Sequence, residues 1–256
     1  MLTSAQLDRI DVVLVTPRNP LNIGAAARAM ANFGFRRLSI VAPFAHNWME
    51  AKSAVGAPDL LREATVYETL AEAVANATLV IGTGSLDRRK PEQAILDLPV
   101  AAAQIRQAAA SQSPSSQAPR SRVALLFGSE KHGLTADELS WCHAITVIDT
   151  AEAQPSMNLG QAVAVCLYEI SRTQEIPPPA IPAIQATNPN TEQLDRLAGL
   201  IEETMEHANY ATRGMRSANG EALRVLLRRL MPNDTDLRRM MGLFRRILWQ
   251  LRRPKS

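Results

Sequence analysis

Leu126-Phe127-Gly128-Ser129-Glu130-Lys131-His132-Gly133-Leu134-Thr135 leaves the apolar run Val123–Gly128 through a turn bounded by two glycines. A short aliphatic run that ends in such a turn marks a buried parallel strand delivering a loop to the edge of a sheet. The glycine spacing mimics a triphosphate-binding loop, but Leu134 stands where the phosphate-binding lysine belongs, which excludes an ATPase. What is left is a turn whose backbone lets a ligand come close, with Glu130 placed to accept hydrogen bonds from it; a plain structural turn explains the stretch equally well.

Outward from this strand the same pattern repeats. Ile10–Val15, Leu38–Val41, Thr78–Gly82 and Ala144–Asp149 are short and rich in Val, Ile and Leu, and helix-like segments over Asn22–Phe33, Leu70–Asn76, Glu92–Ala110 and Leu159–Arg172 separate them. The alternation predicts an α/β fold, an open parallel sheet with helices on both faces. Ser111–Arg122 is polar, with two prolines, and is expected as a surface loop without chemistry.

Three further loops follow strands. Pro17–Arg28 contains Asn22 and Gly24, suited to turning and capping, and Arg28 one helical turn beyond, able to reach over the strand ends where ligands of such sheets bind. Gly82-Thr83-Gly84-Ser85 is weak alone and lacks the third glycine of a dinucleotide site. In Asp149–Ala162, Ser156 or Asn158 is suited to cap the next helix, yet capping explains only one of several hydrogen-bonding side chains there.

Five prolines within Ile176–Pro189 rule out a helix or central strand and predict an extended linker. The expected organisation is therefore residues 1–175 as the α/β domain, 176–190 as the linker and 191–256 as a small helical unit, with helices from Thr191 to about Ala211, Ala218–Leu230 and Thr235–Leu251. Charge separates the same parts. Residues 211–256 hold 12 Lys and Arg against three acids, while residues 1–210 carry a net −6. A basic block of this kind suits phosphate contacts, and a solvated helical face is the competing explanation.

No apolar run approaches the roughly 18 residues of a bilayer span, and Met1–Arg9 lacks the pattern of a secretory signal, so a cytoplasmic protein without a membrane partner is expected. Cys142 and Cys166 read as buried thiols. His46, His132, His143 and His207 have no ligand spacing, and no metal site is expected.

Taken in order, the loops resemble the motifs of the TrmH-like branch of the SPOUT methyltransferases: Asn22-Ile23-Gly24 with Arg28, then Phe127-Gly128-Ser129-Glu130 with Gly133-Leu134, then Ser156-Met157-Asn158-Leu159 with Ala162. Gly220 to Leu251 resembles the C-terminal extension of the TrmJ-type tRNA methyltransferases. The resemblance implies a SPOUT-type parallel sheet with a C-terminal trefoil knot and a homodimer with its active site at the subunit interface. It also implies S-adenosylmethionine as cofactor, and tRNA as partner, methylated on the 2′-hydroxyl of nucleotide 32, cytidine or uridine, in the anticodon loop. Two departures stand out. Asp87 and its neighbours separate Thr83 from Arg88 and Arg89, so that either of these, or neither, stands for a family arginine that follows the threonine by a few residues, and Ser129 stands where some members carry arginine.

The implied catalytic set is Asn22, Arg28, Glu130, Ser156 and Asn158; the implied cofactor set is Thr83, Gly84, Gly128, Glu130, Gly133, Ile148, Met157, Asn158 and Leu159. A guanidinium does not deprotonate in proteins, so Arg28 is expected to stabilise the developing alkoxide, with Ser156, Asn158 or a phosphate oxygen as proton acceptor. RNA contacts are expected from Arg18, Arg88, Arg89, Arg224, Arg228, Arg229, Arg238, Arg239, Arg245 and Arg246. The rival readings are a TrmH-like enzyme acting on ribosomal RNA and a catalytically silent RNA-binding protein.

Overall fold

The computed structural model describes residues 2–44, 48–50, 53–84, 91–111, 122–172, 188–210 and 216–252. Among these, seven strands form one sheet: β1 (Ile10–Val15), β2 (Arg37–Val41), β3 (Thr65–Tyr67), β4 (Leu79–Thr83), β5 (Ala94–Asp97), β6 (Val123–Phe127) and β7 (Ala144–Val147). Their order is β3-β2-β1-β6-β4-β7-β5, and every pairing is parallel. All seven carboxyl ends therefore open on one edge, which collects the loops singled out above.

Burial on both faces explains the unbroken aliphatic runs. In β1, Ile10, Val12 and Leu14 enter one core, beneath α2 (Pro20–Phe33), α5 (Leu98–Ala110) and α7 (Leu159–Ser171). Val13 and Val15 enter the other, beneath α4 (Leu70–Val74) and α6 (Ala136–Ser140). The exception in this strand, Asp11, is 7% exposed and is neutralised by Arg122 at 2.8 Å and by Arg37. Helices α2 and α7 approach closely because Gly160 has no Cβ: one placed there would lie 2.6 Å from Cβ of Ala25. Two short helices, α1 (Ser4–Leu7) and α3 (Pro58–Arg62), and a 3-10 helix over Trp48–Glu50 also belong to this part of the chain.

The segment Glu92–Ala110 is not one helix. Ala94–Asp97 pairs with β7 as an edge strand, and the helix starts at Leu98, where Pro99 fits the first turn and would have broken a helix running through it. Asn19, not Asn22, caps α2: its side chain accepts from the N–H of Leu21 at 2.9 Å. Residues 112–121, the core of the expected loop, and 173–187, most of the expected linker, lie outside the described residues.

Three helices follow: α8 (Thr191–His207), capped by Asn190, α9 (Arg216–Leu230), and α10 (Asp234–Leu251), capped by Asn233. They enclose their own cluster of Leu194, Leu197, Ala198, Ile201, Leu227 and Leu237. They also dock on the sheet part. The N–H and hydroxyl of Thr191 donate to Ala77 O at 2.8 and 2.9 Å, and the N–H of Glu192 donates to Ala75 O at 3.1 Å.

Candidate active site

At the carboxyl edge a cleft of about 430 Å³ opens between the ends of β4, β6 and β7 and the start of α7. Thr83 and Gly84 reach it from β4, Gly128 through Gly133 from β6, and Ile148, Ser156, Met157 and Leu159 from the loop between β7 and α7. The Thr83 hydroxyl donates to Leu126 O at 2.9 Å, which fixes its side chain between the strands. Gly128 closes the β6 loop on itself: a Cβ there would lie 2.1 Å from the backbone carbon of Gly133, and the Gly133 N–H donates to Ser129 O at 2.8 Å. The two glycines thus serve a compact turn that also forms one wall of the cleft.

Hydrogen bonds tie the three loops together across long sequence separations. Glu130 accepts from the backbone N–H groups of Arg18 and Asn19, each at 2.9 Å, and from Asn22 Nδ2 at 2.9 Å. Asn22 Oδ1 in turn accepts from Asn158 Nδ2 at 2.8 Å, and Asn158 Oδ1 accepts from the Gly160 N–H at 2.9 Å, capping α7. Burial by itself would raise the carboxyl pKa of Glu130, but the bonds from Asn22, Arg18 and Asn19 outweigh it and hold the group below the usual carboxylate range. Glu130 is accordingly ionised and engaged with the first loop, whereas the sequence suggested a carboxylate free to receive a ligand.

Asn158 is likewise engaged at both ends of its amide and does not line the cleft, while Ser156 does. Among the described residues the Ser156 hydroxyl makes no hydrogen bond of its own. Arg28 lies outside the cleft of its own chain: it is exposed on α2, without an ion pair or hydrogen bond among the described residues. The Arg18 guanidinium sits over the ring of the exposed Phe44, 4.6 Å from its centroid. Arg88 and Arg89 lie outside the described residues. Sequence reasoning passed over Lys131, His132, Leu139, Thr150 and Pro155, which also line the cleft. For the first two, position inside the glycine-bounded turn was the available signal.

The expected RNA-contacting arginines divide. Arg228 is 1% exposed; its Nε donates to Trp141 O at 2.8 Å and its Nη1 to Arg224 O at 3.2 Å. Burial pulls its pKa down to about 10. Arg224 donates to Ser140 Oγ at 2.9 Å and pairs with Asp137, and Arg229 pairs with Glu92 at 3.0 Å. These three hold α9 against the sheet part, and burial in particular keeps Arg228 from a phosphate. Arg238, Arg239, Arg245 and Arg246 on α10 are exposed.

The cleft suits S-adenosylmethionine. Its volume falls in the range of about 300–1,000 Å³ usual for cofactor sites. Ile148, Met157, Leu159 and Leu134 offer apolar walls for a flat base, and Thr83, Ser156 and backbone groups at Gly84 and Gly128 offer polar partners for a ribose and an amino-acid end. Among the described residues no three His, Cys, Asp or Glu side chains gather to hold a metal, and no helix is long and apolar enough to cross a membrane. Cys142 and Cys166 are buried free thiols, with pKa values pushed by burial up to about 12.

Comparison with known proteins agrees with this architecture. The SpoU rRNA Methylase family matches residues 9–168. A tRNA (cytidine/uridine-2'-O-)-methyltransferase TrmJ of Yersinia enterocolitica is 30% identical over 254 residues, 97% of this chain and 95% of that protein. Its Klebsiella pneumoniae namesake is 32% identical over 242 residues, 93% of this chain and 95% of its own. Among solved structures, TrmJ from Z. mobilis ZM4 superposes with a TM-score of 0.77 at 29% identity, covering 93% of this chain and 98% of that one. The glycine-turned β6 loop, the polar loop into α7 and the first loop bonded to both lie within the matched residues, and the chain belongs to the SpoU methylase family.

Proposed function

We propose that the protein transfers a methyl group from S-adenosylmethionine to the 2′-hydroxyl of a tRNA ribose in the anticodon loop, at nucleotide 32, cytidine or uridine. The hydrogen-bonded chain Glu130–Asn22–Asn158 carries the reading, because it joins three motif loops around one cleft. The names borne by relatives that match nearly the whole chain supply the tRNA and the ribose hydroxyl.

S-adenosylmethionine, when bound, supplies a methyl group on a sulfonium. This chain's residues do the rest. Apolar contacts from Met157 and Leu159 and backbone groups at Gly128 and Gly84 would hold the cofactor beside the incoming hydroxyl. Arg28 stabilises the alkoxide as it forms. Ser156, whose hydroxyl is unengaged and lines the cleft, stands ready to take the proton of the 2′-hydroxyl while passing its own to an RNA phosphate oxygen or to water, whereas Asn158 is committed to α7 and Asn22. Since Arg28 is outside its own chain's cleft, a homodimer in which it serves the partner subunit's cleft completes the site. The sheet edge that houses the β6 and α7 loops is where the trefoil knot of this family would be tied, and a cytoplasmic location fits a tRNA substrate. Residues 191–256, a second domain in this reading, present α10 to the RNA.

Unmodified tRNA transcripts incubated with protein and S-adenosylmethionine, then digested for mass spectrometry, should yield 2′-O-methylcytidine or 2′-O-methyluridine from the anticodon loop. Arg28→Ala should abolish that product while leaving cofactor affinity nearly unchanged, and retained turnover would remove Arg28 from the mechanism. The description of the matched family favours a second reading, ribosomal RNA as substrate. Product from ribosomal RNA and none from tRNA would establish it.

A further inference from the structure

Helix α10 has a face that its packing does not explain. Leu237, Met241 and Phe244 turn toward α8, and Leu248 is buried. At about 3.6 residues per turn the opposite face is built around Gly242, with Arg238 and Arg239 one turn before it and Arg245 and Arg246 one turn after it. Trp249 lies on the same line two turns from Gly242 and is 42% exposed, with the Arg246 guanidinium 4.3 Å from its ring centroid. A Cβ on Gly242 would meet nothing within 4 Å, so no neighbour demands glycine in the middle of a helix it weakens. None of the four arginines forms an ion pair among the described residues, whereas Arg196, Arg224, Arg229 and Arg252 all do.

We propose that this face of α10 binds unpaired RNA nucleotides, a phosphate lying over Gly242 within the ring of arginines and an adjoining base stacked on Trp249. The charge complements a polyanion, the missing side chain leaves room for a phosphate to approach the helix, and an exposed indole beside the Arg246 guanidinium is a stacking platform that paired bases cannot use. The assignment rests on the reading of tRNA as substrate and sharpens it, since it selects loop nucleotides over duplex.

The full-length protein carries its own reporter. Trp48 and Trp141 are buried at 5% and 8% exposure, so Trp249 dominates the fluorescence that an added RNA can reach. A hairpin with an unpaired loop, added without S-adenosylmethionine, should quench this emission, and Trp249→Ala should remove the quench and weaken binding about tenfold. Gly242→Leu should raise the melting temperature by favouring the helix and yet weaken hairpin binding at least severalfold, a pair of opposite signs that a merely structural glycine would not produce. Unchanged affinity in both variants, or equal quenching by a blunt duplex, would overturn the proposal. So would vesicles of phosphatidylglycerol shifting the emission where RNA does not, which would assign the face to an anionic lipid surface. Methylation without quenching would reject this surface while leaving the methyltransferase reading intact; quenching without methylation would do the reverse.

Discussion

Helices α9 and α10 look alike in sequence, both amphipathic and both studded with arginines, yet they use those arginines in opposite directions. In α9, Arg224 and Arg228 turn inward and Arg229 reaches across to Glu92. Arg228 caps the carbonyl of Trp141 at the C-terminal end of α6, where backbone carbonyls lack helical partners, and both Arg224 and Arg228 stack on the Trp141 ring, 4.7 and 5.3 Å from its centroid. In α10, Arg238, Arg239, Arg245 and Arg246 are exposed and form no ion pair among the described residues. Charge density therefore says that a helix is basic, and the acceptors left open on the neighbouring element decide whether that charge is structural or available.

The contrast is sharpest in stability. Arg228→Leu should cost about 2–4 kcal/mol, because the carbonyls of Trp141 and Arg224 lose a buried charged donor, and a urea titration should show the lowered midpoint. Arg239→Ala should stay within about 0.5 kcal/mol of the parent. Equal effects would dissolve the distinction between the two helices.

Acid should find the α9 side next. His143 is buried beside Arg228; desolvation and then that charge lower its pKa to about 3, and its Nδ1 accepts from the Val80 N–H at 3.0 Å. The unfolded chain binds a proton at His143 near pH 6.5 and the folded chain does not, so this contribution is complete above that pH and lost as pH falls toward about 3. The loss runs at about 1.4 kcal/mol per unit, or about 2 kcal/mol at pH 5. Unfolding followed from pH 7 to 5 should show this slope in the parent and a flatter one in His143→Gln.

A smaller effect is expected at the cleft, where Glu130 is exposed but bonded to the first loop. Glu130→Gln should cost roughly 0.5–1 kcal/mol, solvent limiting the loss, and should loosen cofactor affinity through the loops rather than by a lost ligand contact. Its lowered pKa adds stability that is present above the ordinary carboxylate range and disappears as pH falls through the folded value. Smallest in stability is the α10 series. Arg239→Ala and Arg245→Ala should each reduce the salt dependence of RNA binding by about one unit of slope, while Arg229→Ala, already paired with Glu92, should change it less.

Much of the sheet is legible along the chain. β1, β4, β6 and β7 read as strands because burial on both faces requires a continuous aliphatic run. β3 was missed because it is a three-residue edge strand with no residue buried. β5 was missed because Ala94-Ile95-Leu96-Asp97 runs straight into Leu98, and apolar residues at helical spacing on both sides of the junction hide a boundary that Pro99 alone betrays. At the cleft, glycines and polar loop residues pointed to the right three loops. Their division of labour did not show, since Asn22 finds Glu130 across 108 residues and Asn158 finds Asn22 across 136.

By itself, then, the sequence determined the α/β alternation, the loops that follow strands β1, β6 and β7, and the basic character of the last helices, because periodicity, glycine turns and charge are local properties. Only the tertiary structure decided that Glu130 is a tie between loops, that Arg28 stands apart from its own cleft, and that Arg228 is interior while Arg239 is not. Each of these depends on which acceptor or cavity a distant segment presents, and no local pattern encodes that.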